Sequence, residues 1–363
     1  MTDQPKQTQE LTPELIRAAL GTVKYPGFSR DIVSFGLVKK INIDDSNNVT
    51  IDLQIESKNA DIPRYIFEGV HGVMKEIPGV KHCEVNIDHK TPAAKNPVND
   101  DPASWKSSIP GVKHVIAVAS GKGGVGKSTV SANLAVALAK LGYKTGLVDL
   151  DIYGPSMSLM FGTKERPGAN DDDQFIPVEA HGVQILSMGL MIEEDSPVAV
   201  RGPIATRYVQ QFLHNVAWDD MDFLILDLPP GTGDIQLTIV QTSDLDGAII
   251  VTTPQEVALI DARKAVGLFN KVNTPILGIV ENMSYFECPS DGKIYHIFGE
   301  GGGQREADKL GVPLLGQIPI DILTRSSGDT GTPVALLDPA TNAASAAFHH
   351  IAEQCVKTVI NKN

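Results

Sequence analysis

Apolar positions in the first ninety residues switch between two periods. Leu15, Ile16, Ala19 and Leu20 recur at helical spacing, as do Ile62, Ile66, Val70 and Met74. Ile41 and Ile43 lead into the polar turn Asp44-Asp45-Ser46-Asn47-Asn48. Beyond it Val49, Ile51, Leu53 and Ile55 alternate as a half-buried strand, and Cys83, Val85 and Ile87 repeat that pattern later. The order α-β-β-α-β predicts a small α+β domain over residues 1–90.

Residues 91–112 carry Pro92, Pro97, Pro102 and Pro110 among polar neighbours, which sustain neither a helix nor a central strand, so the segment reads as a linker. From residue 113 the period changes again. Apolar runs at 114–120, 144–150, 183–188, 222–228, 247–253, 275–281 and 312–318 alternate with helical segments. Several runs are apolar throughout, as parallel strands covered on both faces require. The expected fold over 113–363 is a doubly wound, mostly parallel α/β domain with its site at the carboxyl ends of the strands. Near the end, Ala344, Phe348, Ile351, Ala352, Cys355 and Val359 fall on one buried helical stripe, and His349-His350 reads as part of a solvated helix face.

The run Val115–Ala119 ends in Ser120-Gly121-Lys122-Gly123-Gly124-Val125-Gly126-Lys127-Ser128-Thr129, which opens a helical pattern. Gly121, Gly126, Lys127 and Ser128 satisfy the phosphate-binding loop pattern, in the strand-before, helix-after context that it needs. Glycines let successive N–H groups turn toward phosphate oxygens, and the helix dipole adds to the attraction. Lys127 would reach the β- and γ-phosphates, and the Ser128 hydroxyl would ligate Mg2+. Two acidic residues, Asp149 and Asp151, end the second run. Alternation would put them on one side, one in the Mg2+ shell and the other positioning water. Phe223-Leu224-Ile225-Leu226-Asp227 is an apolar strand ending in a carboxylate suited to Mg2+. The following Leu228-Pro229-Pro230-Gly231-Thr232-Gly233-Asp234 makes a rigid turn whose backbone could sense a γ-phosphate.

With two lysines in the loop, Lys122 and Lys127, the segment resembles the deviant Walker A loop of the MinD/ParA/nitrogenase-iron-protein class. The resemblance implies an ATP-sandwiched homodimer, in which Lys122 crosses to the partner's nucleotide and Asp151 orients the attacking water. It also implies adenine contacts from Asn282 and from the Pro319 segment, although spacing alone leaves Asn282 equally suited to capping a turn. Val200-Arg201-Gly202-Pro203, the Leu226–Asp234 segment and Glu281-Asn282-Met283-Ser284-Tyr285-Phe286 narrow the resemblance to the Mrp/ApbC family of iron–sulfur cluster carriers. That family implies a slow Mg2+-dependent ATPase that holds a labile cluster, takes it from an assembly scaffold and passes it to apo iron–sulfur proteins. The small domain in front is typical of the family too, but the cysteine often found after its second strand is replaced here by Ser57-Lys58-Asn59-Ala60-Asp61. Many members carry Cys-Pro-x-Cys where this chain has Cys288-Pro289-Ser290-Asp291. Two copies of Cys288 supply two of the four ligands a cluster wants. Asp291 or His296 completes the shell, an external thiol does so, or the cluster has been lost.

Composition trims the alternatives. The 363 residues carry a net charge of −13 with no Lys/Arg-rich run, which argues against nucleic acid or an anionic membrane as a general partner. No run approaches the length of a membrane span, and the polar start is unlike a signal peptide. Three widely spaced cysteines make no disulfide framework, and a cytoplasmic protein is expected. A MinD/ParA-like positioning ATPase and a metal-free nucleotide-gated scaffold are the competing readings. The weakly charged C-terminal helix disfavours the first, whereas Asp291 favours the second. A nitrogenase-like reductase would need more cysteines.

Overall fold

The computed structural model describes residues 11–26, 31–44, 46–56, 62–90, 107–191 and 202–360. The Ser57–Asp61 segment, Arg201 and the prolines at 92, 97 and 102 lie outside the described residues. The chain forms two compact units, 1–98 and 99–363.

The first unit begins with α1 (Pro13–Leu20), capped by Thr12, whose hydroxyl accepts from Leu15 N at 3.2 Å, with proline in the first turn. Strands β1 (Val38–Ile43) and β2 (Asn48–Glu56) pair antiparallel. Their turn is built by the Asp44 carboxylate, which accepts from Ser46 N and Asn48 N, and by Asn47 at φ 62. After α2 (Ile62–Glu76), β3 (His82–Lys90) adds parallel to β2. Val49, Ile51, Leu53 and Ile55 pack beneath Ile16, Leu20, Ile66, Val70 and Met74, so the α-β-β-α-β order and both stripes are as the patterning predicts. Cys83, Val85 and Ile87 border this core half-buried.

The second unit runs β4 (Val112–Ala119), α3 (Lys127–Lys140), β5 (Thr145–Asp149), α4 (Met157–Met160), the short β6 (Gly168–Ala169) and β7 (Phe175–Ile176), β8 (Val178–Ala180) and β9 (Val183–Ser187). It continues with α5 (Gly202–His214), β10 (Met221–Asp227), α6 (Asp234–Thr242), β11 (Gly247–Thr252), α7 (Glu256–Lys271) and β12 (Ile276–Glu281). The ribbon β13 (Phe286–Glu287) and β14 (Ile294–Tyr295), α8 (Gly302–Leu310), β15 (Leu314–Gln317), α9 (Ile322–Thr330) and α10 (Ala343–Ile360) complete it. One eight-stranded sheet has the order β15-β12-β11-β4-β10-β5-β9-β8, parallel except for β8 at its edge. Its two faces carry separate cores, one under α3 and α10 and the other under α5, α6 and α7. The end of the proline-rich segment belongs to this unit, since Ile109 is buried in the second core and Ser107 bridges to Ser243.

Chain order reverses about β4: β5 lies to one side with β10 inserted between, and β11 pairs on the other. The crevice at the carboxyl ends therefore opens where the phosphate loop leaves β4. Register then sets the site. Asp227 of β10 lies opposite Asp149 of β5, which lies opposite Ser187 of β9. Partners in parallel strands share a face, so Ser187, Asp149 and Asp227 form a polar row on the α3 side at the top of the sheet. The stripe on α10 is buried as predicted, Cys355 included. His349 departs from the expected solvated face: its Nε2 reaches the Ala335 carbonyl at 3.1 Å, because the turn at Val334–Leu336 packs against that side of the helix.

Candidate nucleotide site

Gly121, Lys122, Gly123, Gly124, Val125 and Gly126 form the turn between β4 and α3, and Lys127, Ser128 and Thr129 open the helix. Gly126 is the helix N-cap at φ 81, a left-handed conformation that glycine adopts without strain. An added Cβ there would collide with Asn282 Nδ2. That amide donates to the Val125 carbonyl at 2.9 Å, so Asn282, at the end of β12, braces the phosphate loop. Pro319 is buried just beyond β15, where the adjoining Ile318 exchanges backbone hydrogen bonds with Glu281 and Ser284. A buried carboxylate holds this corner, since Glu281 accepts from Ser284 Oγ at 2.6 Å, from Gln317 Nε2 at 2.8 Å and from Gly303 N.

Lys127, Ser128 and Asp227 converge as the spacing predicts. Lys127 Nζ donates to Asp227 Oδ1 at 2.6 Å and Ser128 Oγ donates to Oδ2 at 2.7 Å. Ser131 Oγ adds a third donation at 2.6 Å from one helical turn further on. The carboxylate is fully buried and the lysine 6% exposed, so each charge depends on the other. The turn after β10 is stitched to the start of the loop, with Leu228 N donating to Val118 O at 3.1 Å and Gly231 N to Ser120 O at 3.0 Å. Lys122 is partly exposed, and its ammonium has no hydrogen bond or ion pair among the described residues.

The two acidic residues after β5 are arranged differently from the alternation argument. Asp149 ends the strand, but Asp151 lies in a turn, its backbone N–H donating to Asp149 Oδ1 at 3.1 Å. Asp149, expected in the Mg2+ shell, has its other oxygen engaged by Ser156 N at 3.1 Å, Met157 N at 3.3 Å and Ser187 Oγ at 2.9 Å. Burial raises its pKa to about 7, neighbouring Asp227 adds to the rise and Lys127 opposes it. Asp151 is partly exposed; burial raises its pKa as well, with Lys127 opposing. Ser131 and Ser187 escape a motif search. The available signal was Ser131 four residues after Lys127, and Ser187 at the end of the run beside β5.

Cys288 sits on the β13–β14 ribbon, its sulfur 3.0 Å from Ser290 Oγ. Asp291 N and Gly292 N both donate to the Cys288 carbonyl, and backbone bonding to Lys293 holds the Asp291 carboxyl below its usual range. His296 is instead paired with Glu300 at 3.6 Å. Among the described residues no three His, Cys, Asp or Glu side chains converge at metal-binding distances within one chain. Nor is any helix there long and apolar enough to cross a membrane.

Comparison with known proteins agrees with this geometry. Residues 13–87 match the iron–sulfur cluster assembly protein family, and residues 111–356 match the NUBPL iron-transfer P-loop NTPases. The iron–sulfur cluster carrier protein of Deinococcus radiodurans is 42% identical over 330 residues, covering 90% of each chain. That of Escherichia coli K12 is 38% identical over 340 residues, 92% of this chain and 90% of its own. Among solved structures, a nucleotide-binding protein from Archaeoglobus fulgidus in complex with ADP is 38% identical with TM-score 0.55, covering 65% of this chain and 92% of its own. The cell division ATPase MinD of Pyrococcus furiosus is 27% identical with TM-score 0.52, covering 67% of this chain and 98% of its own. The β4–loop–α3 geometry and the match over most of its length place this chain in the NUBPL iron-transfer P-loop NTPase family.

Proposed function

We propose that the protein is a cytoplasmic, homodimeric ATPase whose slow, Mg2+-dependent hydrolysis of ATP controls the binding of an iron–sulfur cluster and its transfer from an assembly scaffold to apo-proteins. The phosphate loop and Lys127 hold the β- and γ-phosphates. The residues fit Mg2+: Ser128 and Asp227 already share a hydrogen bond at the sheet end, and both offer hard oxygens. Bound there, Mg2+ supplies charge neutralisation on the phosphate oxygens. Lys127 leaves Asp227 for the phosphates, Asp151 orients the attacking water, and the Leu228–Asp234 turn responds to the γ-phosphate through its bonds to the loop. Asn282 and Pro319 flank the base.

Homodimerisation is supported by what stands exposed where the strands end. Lys122 is unpaired there among the described residues, and Tyr153, Leu159, Ile322 and Leu323 are each more than half exposed on segments that follow β5 and β15. A second copy would cover them and bring each Lys122 to the other's nucleotide.

One observation carries the iron–sulfur part. Cys83 and Cys288 are both partly exposed and Cys355 is buried, but Cys83 lies in a strand whereas Cys288 sits at a turn of the β13–β14 ribbon. Burial pushes the Cys355 thiol up to about 12, and burial also raises that of Cys83 against the small core. Anaerobic reconstitution with iron and sulfide tests it, comparing wild type with Cys288→Ala by absorbance, iron content and transfer to an apo-acceptor. The expected result is a transferable cluster that the variant lacks. Intact ATP turnover with no cluster in either protein would favour the metal-free nucleotide switch, to which Asp291 in place of a second cysteine already lends weight.

A further inference from the structure

We infer that Asp149 is a positioning residue: it anchors both ends of the Leu150–Met157 loop and thereby sets Asp151, rather than entering the Mg2+ shell. The inference rests on the ATPase reading only for what Asp151 does, since the anchor itself is a matter of geometry.

Register supplies the first argument. The partner row Ser187–Asp149–Asp227 lays three polar side chains side by side on one face of three adjacent strands. Asp227 is nearest the phosphate loop and is held by Lys127, Ser128 and Ser131, all from the start of α3. Two of those three are groups that a nucleotide would repartner, so its carboxylate is available when needed. Asp149 is one strand further out and has a different set of donors. Three of its four are fixed in the loop backbone (Asp151 N, Ser156 N and Met157 N), and the fourth is the Ser187 hydroxyl at the end of β9.

Donor count supplies the second. Oδ2 alone accepts three hydrogen bonds, and the side chain has no exposed surface. To ligate a cation through Oδ2 it would release two backbone N–H groups and the Ser187 hydroxyl into a dry site, and through Oδ1 it would release the Asp151 N–H that ties the loop to it; an unpaired donor there is costly. Retained, those bonds close the loop on itself. The chain leaves the carboxylate at Asp151 and returns to it at Ser156. Within that span Gly154 N donates to Asp151 O at 3.2 Å and Ile152 is buried, which leaves Asp151 a narrow range of positions. A carboxylate that orients water has to be held to about an ångström, because a displacement of that size costs about 100-fold in rate.

Asp149→Asn keeps the shape but presents an NH2 group where N–H donors converge. Ser187→Ala removes a single donor and serves as the milder variant. In Asp149→Asn the ATPase kcat should fall about 100-fold, while KM for ATP and the half-saturating Mg2+ concentration stay within about threefold. Ser187→Ala should fall about fivefold in kcat, the equivalent of one hydrogen bond. Combined with Asp151→Asn, Asp149→Asn should add almost nothing, because both act through the same carboxylate. Amide hydrogen exchange, followed by mass spectrometry on the nucleotide-free protein, reads the anchor without turnover. Peptides spanning 150–157 should exchange at least about tenfold faster in both variants, with α3 and β10 unchanged. A rise of about tenfold or more in the Mg2+ requirement of Asp149→Asn, as expected for Asp227→Asn, would overturn the inference. So would unchanged exchange of the loop. Wild-type protein that does not hydrolyse ATP would sink the proposed function instead, and the exchange measurement would still decide the anchor.

Discussion

Asp227 accepts three hydrogen bonds from one helical turn, and one of the donors is a lysine with almost no contact with water. This carboxylate is therefore a structural group in its own right. Truncating it would leave the Lys127 charge buried beside two hydroxyls that have lost an acceptor, and breaking such a pair costs about 3–5 kcal/mol. Asp227→Ala should show that loss in urea unfolding of the second unit, together with lost ATP turnover. Lys127→Met, which removes the charge along with the lysine, should be milder on top of Asp227→Ala than the sum of the two single changes. An Asp227→Ala protein as stable as wild type would mean that water reaches Lys127 and that the pair is solvated. Motif spacing announced Lys127, Ser128 and Asp227. The serines that complete the arrangement were silent, because a buried serine in a helix or at a strand end has no pattern of its own and is placed only by register.

At the level of elements, the apolar runs identified all seven parallel strands of the large sheet, since strands covered on both faces leave an unbroken hydrophobic record. They missed β6, β7, β8, β13 and β14, which span two or three residues each and are too short to carry a period. The same brevity explains Asp151: the strand stops at Asp149, and a side-chain-to-backbone bond takes over where alternation was assumed. The packing of α4 against α9 was also invisible. It depends on two glycines, Gly162 at φ 62 and Gly331 at φ 72, whose backbones lie in direct contact. Gly331→Ala would add a Cβ on top of Gly162 in a conformation that alanine resists, and the His181 Nε2 contact to its carbonyl at 2.9 Å opposes relaxation. A loss of about 2 kcal/mol or more is expected in denaturant unfolding. Gly142→Ala, at φ 95 but in open space, provides the control for backbone strain alone and should lose less. Equal losses would assign the effect to φ and remove close packing from the account.

For the whole molecule, the two units have separate cores. Residues such as Ile16, Ile51 and Ile66 make up the first, and the two faces of the large sheet make up the second. A unit with its own core unfolds as its own cooperative transition, and only the second contains the phosphate loop. Scanning calorimetry of the full chain should therefore resolve two transitions. Mg2+ and ADP at about a hundred times the dissociation constant stabilise the state that binds them by about 2.7 kcal/mol. For a unit of this size that moves the transition by roughly 5–10 °C, and the smaller transition should not move. The magnitudes make the two outcomes easy to tell apart. If both transitions rise together, the small unit takes part in the nucleotide-bound state, and Asp227→Ala should then lower both. If only the larger rises, nucleotide energy stays within the sheet unit, and the small unit is folded independently of it.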